Sequence, residues 1–212
     1  MKTDKLKHKG DIGLSLIECI DTRLQSYLIR TFVSEETDDE RGTKGIVFRQ
    51  FEYEYKPTLE EAVTDIISAI PDEPINLTEI ATMAELLDEE PMEPMRKALL
   101  HNVEIYDTSS AVKSFSYGAQ TEWFLKEKRV GLVNSITTEK NAGKEMTALW
   151  LSGEKYVLPV DTALQMLAAL ELYSLECYNV TEEHKVAVRA LENVEDIIAY
   201  DYTANYPSKL IF

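Results

Sequence analysis

Long apolar runs are missing from this chain of 212 residues. The longest, such as residues 168–170 and 210–212, fall far short of the roughly 20 needed to cross a bilayer. Residues 1–10 are charged and are followed by Asp11, so they lack the apolar core of a signal peptide. The expectation is a protein made and kept in a cytoplasm, unless an assembled particle carries it out. Cysteine is scarce too. Cys19 and Cys177 cannot make a disulfide framework, and neither has CxxC or Cys/His metal-site spacing. Two separate buried thiols in a reducing compartment are expected. Basic residues are few: 22 Lys and Arg stand against 38 Asp and Glu, a formal charge of −16. Such a field repels phosphate backbones and anionic lipid, which argues against nucleic-acid and membrane partners.

Catalytic and metal signatures are also missing. His8, His101 and His184 are scattered, with no HExxH spacing, and no GxSxG, P-loop or GxGxxG occurs. The pattern at residues 42–45 has neither the residues nor the length of a P-loop. His184 falls early in an expected helix, where a structural bond to that helix start or to Tyr178 is the simpler role. Glu182 with Glu183, and Glu89 with Glu90, are adjacent and do not share a helix face, so they read as solvated charges. Asp38, Asp39 and Glu40 lack the ligand spacing of an EF-hand. No enzymatic activity, cofactor or metal is expected.

What is present suits a globular protein: 44% hydrophobic and 28% charged residues. The expected class is α+β, in three parts. Residues 1–56 form a strand-rich docking region behind a flexible basic arm with Lys2, Lys5, Lys7, His8 and Lys9. Residues 26–33 and 45–55 are its strands, the second alternating Phe51, Tyr53 and Tyr55 with polar residues. Residues 57–106 form an acidic helical segment. Thr58 and Glu61 make a capping box, Asn76 and Glu79 repeat the start signal, and Pro71, Pro91 and Pro94 interrupt. Residues 57–110 carry 13 carboxylates against 2 basic side chains. Residues 107–212 form a domain of two β-hairpins with three helices. The hairpins cover 112–125, turning at 118–120, and 146–158, turning at Ser152 and Gly153. The three helices are expected over 126–142, from Asp161 until residues 179–181 interrupt, and from about 182, with a short further one following around Val194 to Ile198.

Two long apolar-aromatic strands need a cover, either the acidic helices or another chain. So many carboxylates suggest helices that are largely solvated. Phe32, Ile46, Phe48, Phe51 and Tyr53 are therefore the candidate interface, with self-association or docking expected through residues 10–56. The late tyrosines, Tyr173, Tyr178, Tyr200, Tyr202 and Tyr206, suit core edges and interfaces alike.

The C-terminal half also carries a resemblance. Tyr106, Asp107, Val112, Phe115, Trp123 and residues 129–132 form part of it. Residues 161–164, 170–173 and 177–181, then His184, 200–203 and 206–212 form the closer part. In order and type these resemble a domain family of unknown function in small virion or tail-fibre-associated proteins of tailed phages and prophages, often of gut Bacteroidetes. The resemblance runs from about Tyr106 onward and, more loosely, over 45–61. It implies a head- or tail-fibre-associated adaptor or decoration protein of the virion, made in the bacterial cytoplasm. The implied partners are capsid, fibre or tail subunits and further copies of the chain. A soluble assembly chaperone for fibre proteins, absent from the finished particle, is the alternative, and a receptor-binding module is a weaker third.

Overall fold

The computed structural model describes residues 4–9, 14–38 and 43–212, with residues 4–9, 36–38 and 43–44 as backbone only. The fold is α+β. In chain order it runs β1 (Asp4–Lys9), β2 (Ile17–Asp21), β3 (Ser26–Asp38) and β4 (Thr43–Tyr53), then helices α1 (Leu59–Ala69), α2 (Leu77–Leu87) and α3 (Met92–Thr108). It continues with β5 (Phe115–Tyr117), β6 (Gln120–Glu122), α4 (Lys126–Asn141), β7 (Met146–Leu151), β8 (Glu154–Pro159), α5 (Val160–Ala190) and α6 (Val194–Ala199). Two compact units result: Met1–Ile105 with Lys185–Asp201, and Tyr106–His184 with Tyr202–Phe212.

The first unit is built on one antiparallel sheet in the order β1-β4-β3-β2. Residues 4–9 of the basic arm form strand β1, with Lys5 opposite Arg49 and Lys7 opposite Val47, while Lys2 lies outside the described residues. This corrects the expectation of a flexible arm. β4 offers a free backbone edge, and pairing it satisfies N–H and C=O groups regardless of side-chain charge. In the central hairpin Tyr27 pairs Tyr53, Ile29 pairs Phe51 and Thr31 pairs Arg49. One extra residue then enters β3 between Thr31 and Ser34.

The helices start where their capping residues stand. Thr58 accepts from the Glu61 amide while the Glu61 carboxylate accepts from the Thr58 amide, a complete capping box. Asn76 caps α2 through the Thr78 amide. Pro94 does not stop α3; it lies in the first turn, where no intrahelical N–H partner is needed. Leu59, Val63 and Ile66 of α1, Ile80, Met83 and Leu87 of α2, and Met95, Leu99 and Val103 of α3 are all buried. Each such side chain contributes roughly 1.5–3 kcal/mol. The Asn102 side chain accepts from the Ile75 amide at 2.7 Å and donates to the Ile75 carbonyl at 2.9 Å, fixing the α1–α2 connection.

The second unit packs two hairpins on α4 and α5. Phe115, Phe124, Ile136, Leu149, Leu151, Leu158, Met166, Leu167 and Leu170 form its core. Ser152 (φ 48) and Gly153 (φ 86) both take left-handed conformations at the β7–β8 turn, the geometry that a two-residue hairpin loop requires. Residue 211 bridges Ser116 in parallel, and the Phe212 ring meets Phe115 edge-on at 5.8 Å.

One helix, α5, replaces the two expected around residues 179–181. The Thr181 hydroxyl bonds the Cys177 carbonyl four residues back at 3.0 Å, so it joins the helical ladder instead of capping a new start.

Candidate functional site

The five residues expected to form one interface do not share a surface. Strict alternation along β4 sends Phe51 and Tyr53 to one face of the sheet, and Ile46 and Phe48 to the other. On the first face the Tyr53 hydroxyl donates to Asp65 of α1 at 2.9 Å, and Arg49 pairs with Glu73 at 3.1 Å. On the second, the Arg30 guanidinium lies 5.6 Å from the centre of the Phe48 ring. Phe48, Phe51 and Tyr53 are buried, and Phe32 and Ile46 half-buried. Three of the five, Phe48, Phe51 and Tyr53, are therefore core. The acidic helices do cover the Phe51 and Tyr53 face of the sheet, because most of their carboxylates project outward, with Glu60, Glu61 and Glu85 exposed.

The buried exception is Glu79 of α2. Its carboxylate accepts from the Thr31 hydroxyl at 2.7 Å, the Phe32 amide at 2.9 Å and the Val33 amide at 3.1 Å. These are the amides that the extra residue of β3 takes out of the ladder. Phe32 has a φ of 56°, a left-handed conformation costly for a bulky side chain. Glu79 thus ties a helix to a strained bulge, with charge-assisted bonds meeting otherwise unpaired donors. The Glu79 at the start of α2 was legible only as a cap; its role at the bulge had no local signal.

A cleft of about 890 Å³ opens beside the sheet, lined by Ile20, Glu52, Tyr53, Glu54, Tyr55 and Asp65 among others. Burial, then the bond to Asp65, pushes the Tyr53 hydroxyl well above its usual value of 10.0. Tyr55 is raised as well, by desolvation and then the charge of Glu61. Both phenols stay protonated at neutral pH and serve as hydrogen-bond donors.

In the second unit, polar groups gather around α5. Thr181 Oγ1 lies 2.9 Å from Asp107 Oδ1 and 2.9 Å from the Tyr206 hydroxyl, and Lys113 pairs with Asp107 at 3.0 Å. His184 is buried, bonds the Ala204 carbonyl at 2.9 Å and stacks on Tyr206. Both of these partners lie in the 202–212 segment. The Tyr173 hydroxyl donates to the Val112 carbonyl at 2.8 Å. Burial pushes the Cys177 thiol up, which suppresses the reactive thiolate. Cys19, expected to be buried, is exposed on edge strand β2. Arg129 is buried as well, donating to Glu171, the Phe124 carbonyl and Ser174. Every one of these bonds joins parts of the same unit, which makes the cluster a brace.

The surface of the second unit looks different. β7 alternates strictly, with Thr147, Leu149 and Leu151 inward and Met146, Ala148 and Trp150 outward. Across the ladder Ala148 faces Val157, Met146 faces Pro159 and Trp150 faces Lys155. Trp150 is 60% and Val157 58% exposed, and among the paired ladder positions of this outer face Lys155 alone is charged. Among the described residues β7 and β8 pair only with each other, so the ladder also keeps open edges. Sequence reasoning placed this hairpin but not its outer face. The signal was there: β7 is apolar on both faces, and such a strand needs two covers.

No family model, curated protein or solved structure matches the chain.

Proposed function

We propose that the protein is a structural component of a tailed-phage virion, a head- or tail-fibre-associated adaptor or decoration protein that acts by binding other protein chains. The resemblance of residues 106–212 supports the setting. The outer face of β7–β8 supports the mode of action, and it is the observation that carries the reading. Met146, Ala148, Trp150, Val157 and Pro159 place a continuous apolar surface around an exposed tryptophan, the residue type most enriched among binding hot spots. Binding would therefore run through the second unit. Within residues 10–56, Phe48, Phe51 and Tyr53 are used internally, while Ile20, Leu24 and Tyr55 remain exposed. Catalysis has no place in this reading.

The acidity of residues 57–110 favours a second reading, a soluble chaperone that holds fibre chains and leaves before completion. Mass spectrometry of purified particles separates the two. The adaptor reading expects the protein at a fixed ratio to capsid or tail subunits. Its presence in assembly intermediates and absence from finished particles would replace that reading with the chaperone.

A further inference from the structure

Helix α5 carries two stripes. The first is buried and includes Met166, Leu170, Tyr173, Cys177 and Thr181. The second lies opposite, at Gln165, Ala168, Leu172, Leu175 and Asn179. These spacings of three and four are the a and d positions of a coiled-coil seam. Leu172 is 68% exposed and Leu175 55% exposed, with Tyr178 exposed beside them. A helix this long already buries one face. On the opposite stripe Ala168, Leu172 and Leu175 are apolar and Gln165 and Asn179 polar, so the apolar seam is confined to its centre.

The flanks say what fits it. From Asp161 to Glu183 the helix carries Asp161, Glu171, Glu176, Glu182 and Glu183, and no lysine or arginine. Lys140 pairs with Asp161, and Arg129 with Glu171. Glu176 and Glu183 form no ion pair among the described residues. A second copy of the chain is a poor occupant. A parallel pair places Glu171 opposite Glu176 of the other helix, while an antiparallel pair that seats Leu172 on Leu175 sets Glu171 toward Tyr178 and Glu176 toward Ala169 and gains no charge pairing. Like charges at these flanking positions destabilise a helix pair. A partner with lysine or arginine there meets no such repulsion and gains complementary charge.

We propose that the outward seam of α5, centred on Leu172 and Leu175, is a docking site for a basic amphipathic helix of a partner protein. The inference names a kind of partner for the protein-binding reading and rests on that reading only so far as a partner exists. It is tested on the isolated full-length chain, so a failed particle assay leaves it standing.

The probe is a synthetic amphipathic helix, three heptads long, with leucine at a and d and lysine at e and g. Its controls are a twin with glutamate at e and g, and a scramble of the lysine peptide with the same composition. Titration calorimetry should give the lysine helix an affinity about ten-fold or more above the scramble, with no binding of the glutamate twin. Leu172→Ser with Leu175→Ser should abolish the preference while the melting temperature holds, because both side chains point to solvent. Glu176→Lys with Glu183→Lys should weaken the lysine helix and admit the glutamate twin. Equal affinity for lysine helix and scramble would overturn the proposal, reducing it to charge attraction. So would undiminished binding by the Leu172/Leu175 variant, or a homodimer in solution that this variant dissolves.

Discussion

The two units solve the same problem in opposite ways. In the first, the sheet face that carries Phe51 and Tyr53 is covered by helices, and even the strained turn at Phe32 is held by a helix carboxylate. In the second, the β7–β8 hairpin is covered on one face only and presents Trp150, Val157 and Met146 on the other. The contrast shows that apolar content does not locate an interface. Phe48 and Phe51 look as sticky in sequence as Trp150, yet they are buried and it is exposed. What decides is how many covers a strand needs and how many the chain supplies.

The largest effect should come from the covered sheet. Phe51→Ala is expected to cost about 3–5 kcal/mol, read by urea denaturation, since it removes a fully buried ring between helix and strand. Trp150→Ser should fall within about 0.5 kcal/mol of the parent, because its ring faces solvent. Equal losses at the two positions would erase the comparison.

Glu79→Ala should cost about 2–4 kcal/mol, since three donors at the bulge lose a charged acceptor. Hydrogen exchange at the Phe32 and Val33 amides should accelerate more than at Ile29. If those amides stay protected, the carboxylate does not hold the bulge.

A smaller effect of about 1 kcal/mol is expected for Thr58→Ala, which removes the capping box of α1. Thermal melts resolve it, and a melting temperature that does not move would mean the cap is redundant.

High pH tests the covered side by a different route. Burial raises the Tyr53 hydroxyl above the 10.0 of an unfolded tyrosine. The fold therefore favours the neutral phenol, and its stabilisation is complete below about pH 10. It declines once the unfolded state begins to ionise, and is lost as pH rises through the folded value. Denaturation midpoints at a series of alkaline pH values should fall less steeply in Tyr53→Phe than in the parent. An identical slope would remove Tyr53 from the account.

Local signals made much of this legible. The Thr58–Glu61 box, the Asn76 cap, the Ser152–Gly153 turn and the alternation of β4 all depend on residues within a few positions of each other. The fold class followed from them. What escaped was non-local. Nothing near Glu79 announces a bulge 46 to 48 residues earlier in the chain. Nothing at Thr181 says that its hydroxyl will bond backward to Cys177, and also reach Tyr206 and Asp107, instead of starting a helix. The burial of Phe48, Phe51 and Tyr53 escaped because net charge suggests that α1 and α2 stay in solvent. An amphipathic helix with carboxylates on its outer side can be strongly acidic and still bury a full apolar face.

The outer face of β7–β8 is the centre of the functional account, and hydroxyl-radical footprinting of Trp150 tests it most directly. Purified particles and the free protein would be labelled side by side, with half-buried Trp123 as the internal reference. The account predicts that Trp150 and Met146 are oxidised readily in the free protein and shielded in the particle, while Trp123 changes little. Trp150 equally reactive in both would contradict it.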